Sequence, residues 1–252
     1  MRKIHWIILF SALGFLILIG SLYLYNLYNV PVLSNEEIIK LSEEAKEQRE
    51  NITRQTVFEP FEFKKPNKNK NVYFGDLHVH SSLSFDSYIF GNRYGLDDTY
   101  KFAKGEPMLN MFGEQMQISR PLDFAAVTDH AETFGLQESC ADPEITEESK
   151  ITCARLESPS YRFFFDLRET SVARPPVSIM SAAIGDKEKE ERFIKSTWNK
   201  IIKAADNHNE PGKFTTFVAY EYSPTLPDGG YNHRNVIFKN NTVPEKAFSL
   251  FD

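Results

Sequence analysis

The sequence predicts an α/β domain of layered strands and helices, preceded by one transmembrane helix. Two observations predict it: an uncharged apolar run near the N-terminus, and short β-forming runs that alternate with helical patterns after residue 70. The chain has 252 residues, 41% of them hydrophobic and 25% charged, which excludes a disordered or collagen-like protein. Its net charge of −6 argues against a nucleic-acid partner, because general nucleic-acid binders need a basic face.

The N-terminal segment, residues 1–30, is predicted to anchor the chain in a membrane. No residue between Trp6 and Asn35 is charged, and the apolar part is long enough to span about 30 Å, the thickness of the hydrocarbon layer. Arg2 and Lys3 precede the run, so the positive-inside rule keeps the N-terminus cytoplasmic and exports the rest. A cleaved signal peptide is the alternative, but no A-x-A site follows. We expect a single-pass signal-anchor protein of the inner or plasma membrane, with its bulk extracytoplasmic, or periplasmic in a bacterium with an outer membrane.

A polar helical stalk and a linker, residues 31–70, are predicted to follow the anchor. Ser34 and Glu37 match a capping box, which begins a helix predicted over Asn35–Arg54. A basic segment rich in Pro and Asn, KKPNKNKN, comes next. The main domain is therefore predicted to span residues 71–252.

Apolar periodicity in the main domain predicts alternating strands and helices. The predicted strands are Asn71–His80, Asp123–Thr128, Phe214–Tyr222 and His233–Lys239. The predicted helices are Asp97–Lys104, Ser158–Thr170 and Asp186–Asn209. The last of these helices carries an apolar stripe and ends at Pro211-Gly212. The polar segment Glu138–Glu157 is predicted to be a loop.

Two cysteines, Cys140 and Cys153, lie close together in that polar segment. In an oxidising compartment, two neighbouring cysteines more commonly form a disulfide than stay free. A metal-binding pair is the alternative, but neither C-x-x-C spacing nor a nearby histidine supports it. We predict a disulfide between them.

Four of the six histidines lie at predicted strand ends near acidic residues. His78 and His80 alternate on the first strand, so their rings point to one face. Taken singly these signals are weak, because a strand histidine is commonly a core residue. Glu221 is more informative, since it lies among apolar residues and an unpaired buried carboxylate is costly. The candidate metal ligands are His78, His80, Asp86, His130, Glu221 and His233. Imidazole and carboxylate ligands without thiolate suit Zn, Mn or Fe.

Four segments in order, YFGDLHVHSSLSFDSYIFG, PLDFAAVTDHAETFG, PGKFTTFVAYEYS and HRNVIF, resemble the domain of unknown function 3604 family. That family is related to the polymerase-and-histidinol-phosphatase (PHP) metal-dependent hydrolases. The resemblance implies a distorted β/α barrel with two or three divalent metals at the C-terminal ends of its strands. It assigns metal ligation to the six residues named above. It also makes Asp129 an occasional ligand or an orienting residue, and Asp76 a second candidate for orienting a ligand imidazole.

The resemblance implies a membrane-anchored, exported hydrolase that cleaves a small-molecule phosphoester with metal-activated water. An amidohydrolase-like C–N or ester hydrolase is one alternative, because H-x-H on a first strand also opens those metal barrels. The late ligands of the superfamily, a further His and a D-x-H, have no counterpart after His233. We therefore expect a partial, C-terminally incomplete barrel with weak or no activity. A truncated, catalytically inactive, membrane-tethered fragment is the second alternative.

Overall fold

A computed structural model describes the chain over residues 20–21, 33–53, 71–158, 161–173, 175–178, 186–226 and 230–252. The chain divides into two compact units, Met1–Glu37 and Ile38–Asp252. Apart from residues 20–21, the predicted anchor over residues 1–30 lies outside the described residues. No helix in the described part of the chain has the length and apolar character needed to cross a membrane.

Helix α1 (Asn35–Thr53) begins with the predicted capping box. The backbone N–H of Ser34 donates to Glu37 Oε2 at 2.8 Å, and the Glu37 N–H donates to Ser34 Oγ at 3.3 Å. These bonds satisfy N–H groups that have no partner within the helix. The prediction of a polar helix here is confirmed, whereas the linker predicted after it lies largely outside the described residues.

Short strands and helices alternate along the rest of the described chain, and their ends differ by a few residues from the predicted ones. The strands are β1 (Gly75–Val79), β2 (Met108–Leu109), β3 (Gln115–Met116), β4 (Phe124–Val127), β5 (Thr215–Phe217), β6 (Ala219–Tyr222) and β7 (Arg234–Ile237). The helices are α2 (Phe85–Ile89), α3 (Leu96–Ala103), α4 (Leu136–Cys140), α5 (Glu147–Glu157), α6 (Tyr161–Val172) and α7 (Lys187–His208). A 3-10 turn, Ala131–Thr133, lies between β4 and α4.

A parallel sheet in the order β1-β4-β5 forms the centre of the domain, and β2–β3 and β6–β7 are antiparallel pairs. Parallel neighbours need crossover connections, which the helices between these strands supply. The segment predicted as one strand over Phe214–Tyr222 breaks at the buried Val218 into β5 and β6. Among the described residues these sheets do not close into a barrel, and the partial barrel stays a prediction.

The core lies between the parallel sheet and α7. Val127 of β4 and Trp198 and Ile201 of α7 belong to one buried cluster. The indole of Trp198 is fully buried, and its N–H donates to the Pro244 carbonyl at 2.8 Å. Helix α7 begins where Asp186 accepts two backbone N–H groups, so the predicted long amphipathic helix is confirmed.

The prediction of a loop over Glu138–Glu157 is wrong, because this segment contains the end of α4 and all of α5. Thr146 caps α5, its hydroxyl accepting the Ser149 N–H at 3.1 Å. Ser149, Ala154 and Leu156 are buried on this helix, whose other residues are mostly polar or charged. A stripe this narrow does not stand out in a sequence rich in charged residues.

A disulfide joins Cys140 at the end of α4 to Cys153 in α5, with the two Cα atoms 5.7 Å apart. This separation is ordinary for a disulfide. The predicted pair is confirmed.

Candidate metal centre

The ends of the strands bring five of the six candidate ligands to one edge of the domain. His78 lies in β1 and His80 follows it, whereas His130 lies just beyond β4. The Glu221 N–H of β6 donates to the Asp129 carbonyl at 3.0 Å, which holds β6 beside the end of β4. Because β7 runs antiparallel to β6, with Arg234 opposite Tyr222, the preceding residue His233 also reaches this edge.

Glu221 lies at the centre of the cluster, with its side chain 1% exposed. Its Oε2 lies 3.1 Å from His78 Nε2 and 3.0 Å from His80 Nε2. The same oxygen lies 3.9 Å from His130 Nε2, and Oε1 lies 2.7 Å from His233 Nδ1. Four imidazoles therefore face a single buried carboxylate.

Asp86, in the first turn of α2, supplies a second carboxylate. Its Oδ2 lies 3.4 Å from His130 Nε2 and its Oδ1 3.7 Å from His80 Nδ1. The donors form three overlapping groups, within each of which the donor atoms lie within 4.8 Å of one another. The groups are His78, His80 and Glu221; His80, Asp86 and His130; and His130, Glu221 and His233. Each group could hold a metal ion. Because the groups share His80, His130 and Glu221, the structure brings all six predicted ligands together.

Two serine hydroxyls that the sequence did not single out contact the donors. Ser84 Oγ lies 2.8 Å from His80 Nδ1, donates to Asp86 Oδ1 at 2.7 Å, and accepts the His130 backbone N–H at 3.2 Å. Ser223 Oγ lies 2.7 Å from His130 Nδ1. A sequence signal for Ser223 exists, because it lies two residues after Glu221, at the spacing that points side chains to the same side of an extended chain. For Ser84, the sequence signal is limited to its position two residues before Asp86.

The two acidic residues predicted to orient an imidazole contact other groups. Asp129 is fully buried, and its two oxygens accept the backbone N–H and the hydroxyl of Ser81, both at 2.6 Å. Asp76 Oδ1 accepts the backbone N–H of His78 at 3.0 Å. Neither carboxylate is part of the three donor groups. In the described structure each carboxylate binds the backbone at or beside a donor histidine, and the role of orienting residue or occasional ligand stays a prediction.

The family model described as "Protein of unknown function (DUF3604)" matches the chain over residues 67–252. The chain belongs to the DUF3604 family. The matched region contains all six donors and both serines. No curated protein and no solved structure matches the chain significantly.

Burial and close neighbours shift the pKa values of three donors in this DUF3604 domain, Asp86, His80 and His130. Burial raises the pKa of Asp86, but hydrogen bonds from the His130 imidazole and the Ser84 hydroxyl hold it well below its ordinary value. Burial is also the main reason why the pKa of His80 is lowered. Burial lowers the pKa of His130, but its hydrogen bond to Asp86 and the negative charges of Asp86, Glu221 and Glu132 together raise it above its ordinary value. An ionised Asp86 and a neutral His80 are the protonation states that metal ligation requires.

The Asp129 carboxyl differs, because burial raises its pKa to about 7 against the opposing effect of the two hydrogen bonds from Ser81. Close to neutral pH this group carries less negative charge than an ordinary aspartate. The two hydrogen bonds that Asp129 accepts from Ser81 do not require a full negative charge.

Proposed function

We propose that this DUF3604 domain is a metal-dependent hydrolase of the PHP type, with its metal centre formed by the six clustered donors. The observation that supports the centre is the buried Glu221 carboxylate, which faces four imidazole nitrogens at 2.7–3.9 Å. Burying a carboxylate is costly unless it is paired or coordinates a metal. Imidazole and carboxylate donors without thiolate suit Zn, Mn or Fe.

The surroundings of Glu221 Oε1 indicate whether the six donors fit a cation. It is buried and has no hydrogen-bond partner among the described residues, although His233 Nδ1 lies only 2.7 Å away. The two atoms are close, but their orientation is not that of a hydrogen bond. An unsatisfied buried acceptor costs about 1–3 kcal/mol. A cation held by both atoms would remove this cost, so the donor set fits a metal.

The exposure of the donors indicates from which side substrate would reach the centre. The side chains of His78 and His233 are 57% and 44% exposed, whereas that of His130 is 6% exposed. His130 and Glu221 would therefore hold a metal from the inside, and the two exposed imidazoles border the open side. A bound divalent cation supplies a water of lowered pKa and polarises a phosphoryl oxygen. A phosphoester is the default substrate, and this choice rests on the resemblance to the PHP hydrolases, which is itself part of the proposal.

Metal content tests the proposed centre directly. We expect the purified 252-residue chain, after incubation with Zn²⁺ or Mn²⁺ and desalting, to retain at least one metal per chain by plasma mass spectrometry. His80→Ala should lose most of it. His208→Ala is the matched control, because the His208 imidazole is hydrogen-bonded to Asp97 and lies outside the donor groups. Wild-type chain that retains no more metal than His80→Ala would contradict the proposal.

Hydrolysis is tested with the same proteins on bis-p-nitrophenyl phosphate and p-nitrophenyl acetate. Turnover of the phosphodiester that His80→Ala abolishes and His208→Ala preserves supports the phosphoesterase. Turnover of the acetate alone favours the ester or C–N hydrolase. Metal binding without turnover favours the inactive alternative.

A further inference from the structure

Ser84 is fully buried and its hydroxyl contacts three groups of the candidate centre. The contacts are with the Nδ1 atom of His80, a carboxylate oxygen of Asp86 and the backbone nitrogen of His130, at 2.7–3.2 Å. Ser84 immediately precedes α2, but its side chain makes no capping hydrogen bond to that helix. The hydroxyl therefore bonds to the donor groups rather than to the backbone N–H groups at the start of α2.

The number of hydrogens on this hydroxyl determines the direction of each bond. A serine hydroxyl has one hydrogen to donate and two lone pairs that accept. The carboxylate of Asp86 can only accept, so it takes the hydrogen. The backbone N–H of His130 can only donate, so it occupies one lone pair. The second lone pair is left for His80 Nδ1, which must then carry a hydrogen.

We propose that Ser84 is a positioning residue that fixes His80 in the Nδ1–H tautomer and leaves its Nε2 as the ligand atom. Nε2 lies 3.0 Å from Glu221 Oε2 without a hydrogen bond between them in the described structure, so the fixed tautomer leaves a lone pair directed at the centre of the donor cluster. The hydrogen bond made by one ring nitrogen sets the state of the other. The ligand role of Nε2 rests on the proposed function, whereas the tautomer is a property of the metal-free chain.

The tautomer is measured by long-range ¹H–¹⁵N spectroscopy of the chain labelled with ¹⁵N-histidine, at pH 8 with a chelator present. The sequence contains six histidines, and a His80→Gln variant identifies the His80 signals. We expect the shifts and couplings of an Nδ1–H imidazole in the wild-type chain. An Nε2–H imidazole for His80 would overturn the proposal, and this result needs no variant of Ser84.

Ser84→Ala should convert His80 to a mixture of tautomers. Ser82→Ala is the matched control, since Ser82 is buried in the same loop and its side chain has no hydrogen bond to a donor in the described structure. Ser82→Ala should leave the His80 spectrum unchanged. A pure Nδ1–H form that persists in a folded Ser84→Ala chain would also overturn the proposal.

Zinc affinity supplies the second measurement, by competition with a chromophoric chelator. Ser84→Ala should weaken binding by about 10- to 100-fold, as is usual for residues that orient a metal ligand. Ser84→Thr, which keeps the hydroxyl, should restore most of it, and melting curves confirm that each variant is folded. Equal affinities in folded wild-type and Ser84→Ala chains would overturn the positioning role. A wild-type chain with the expected tautomer but no zinc binding refutes the proposed function and leaves the tautomer assignment intact.

Discussion

Glu221 is the residue whose environment is hardest to explain without a ligand. Its carboxylate is buried against four imidazoles, and one of its oxygens has no hydrogen bond among the described residues. Natural proteins commonly retain such a destabilising arrangement at functional sites, where it is compensated when the ligand binds. The stability of the chain should therefore depend on Glu221 in opposite directions with and without metal.

We expect Glu221→Gln to raise the melting temperature in the presence of a chelator, by an amount equivalent to about 1 kcal/mol, because it removes a buried charge. With excess Zn²⁺ the order should reverse, since only the wild-type chain gains stability from tight binding. Melting curves at pH 8 under both conditions measure this. Glu245→Gln is the control, because its side chain is 90% exposed. A variant less stable than the wild type under both conditions would contradict the expectation.

The six donors could be predicted as a set, because a glutamate between tyrosines accompanies four histidines at predicted strand ends, although most of these signals are weak singly. Ser84 and Ser223 could not, because serine is common in loops and its hydroxyl can bond to almost any neighbour. Asp129 is a different case. The resemblance made it an occasional ligand or an orienting residue, and the contact of its carboxylate with Ser81 depends on a pairing of segments that the sequence pattern does not show.

Helices α4 and α5 are joined by the disulfide, whereas α7 is held by a large buried face. Both are short, and isolated helices of this length are marginal in water. The disulfide between Cys140 and Cys153 joins them, and Gln137 of α4 donates to the Ser82 carbonyl in the loop that also carries Ser84. The link therefore supports the loop beside the donors.

Replacing both cysteines, as Cys140→Ser with Cys153→Ser, should lower the free energy of unfolding by about 3 kcal/mol, the value expected for closing a loop of this size. Urea denaturation of the oxidised wild-type chain and of the double variant, both without reductant, measures the difference. Thiol labelling of the denatured, non-reduced wild-type chain should find no free cysteine. Full labelling of both cysteines would show that the bond is absent in the purified protein.

Sequence patterns were informative for long elements and weak for short ones. The stripe of α7 covers many turns, so its apolar face is evident from the spacing of its apolar residues. The break at Val218 has no such pattern, because the residues on both sides of it favour strands. It follows from tertiary pairing: β5 pairs with β4 and β6 with β7, and the break allows one run to serve two sheets.

At the scale of the whole domain, the parallel sheet explains why the histidines at the ends of β1 and β4 meet although they are far apart in the sequence. Parallel strands place their carboxyl ends on one edge, which is where α/β folds gather their functional residues. Glu221 and His233 reach the same edge by another route, because the Glu221 N–H bonds to the Asp129 carbonyl and β7 pairs with β6. How far the sheet continues towards a barrel depends on pairings that a pattern of strands does not determine.

The disulfide and the apolar N-terminal run together suggest where this domain works. Disulfides persist in oxidising compartments and are rare in the cytosol. Arg2 and Lys3 before the run, and acidic residues after it, would orient the chain with residues 36–252 outside the cytoplasm. We therefore propose that the domain is exported and tethered by residues 1–30.

A C-terminal fusion to a reporter that is active only in the cytoplasm tests this orientation. The fusion to the 252-residue chain should be silent, because the reporter follows the domain across the membrane. The same fusion without residues 1–30 should be active, which controls for expression and for folding of the reporter. Replacing Arg2 and Lys3 with Glu removes the charges that retain the N-terminus, so part of the signal should return. Full activity of the unaltered fusion would place the domain in the cytoplasm and contradict the proposed export. The disulfide would then lie in a reducing compartment, where such bonds are rare.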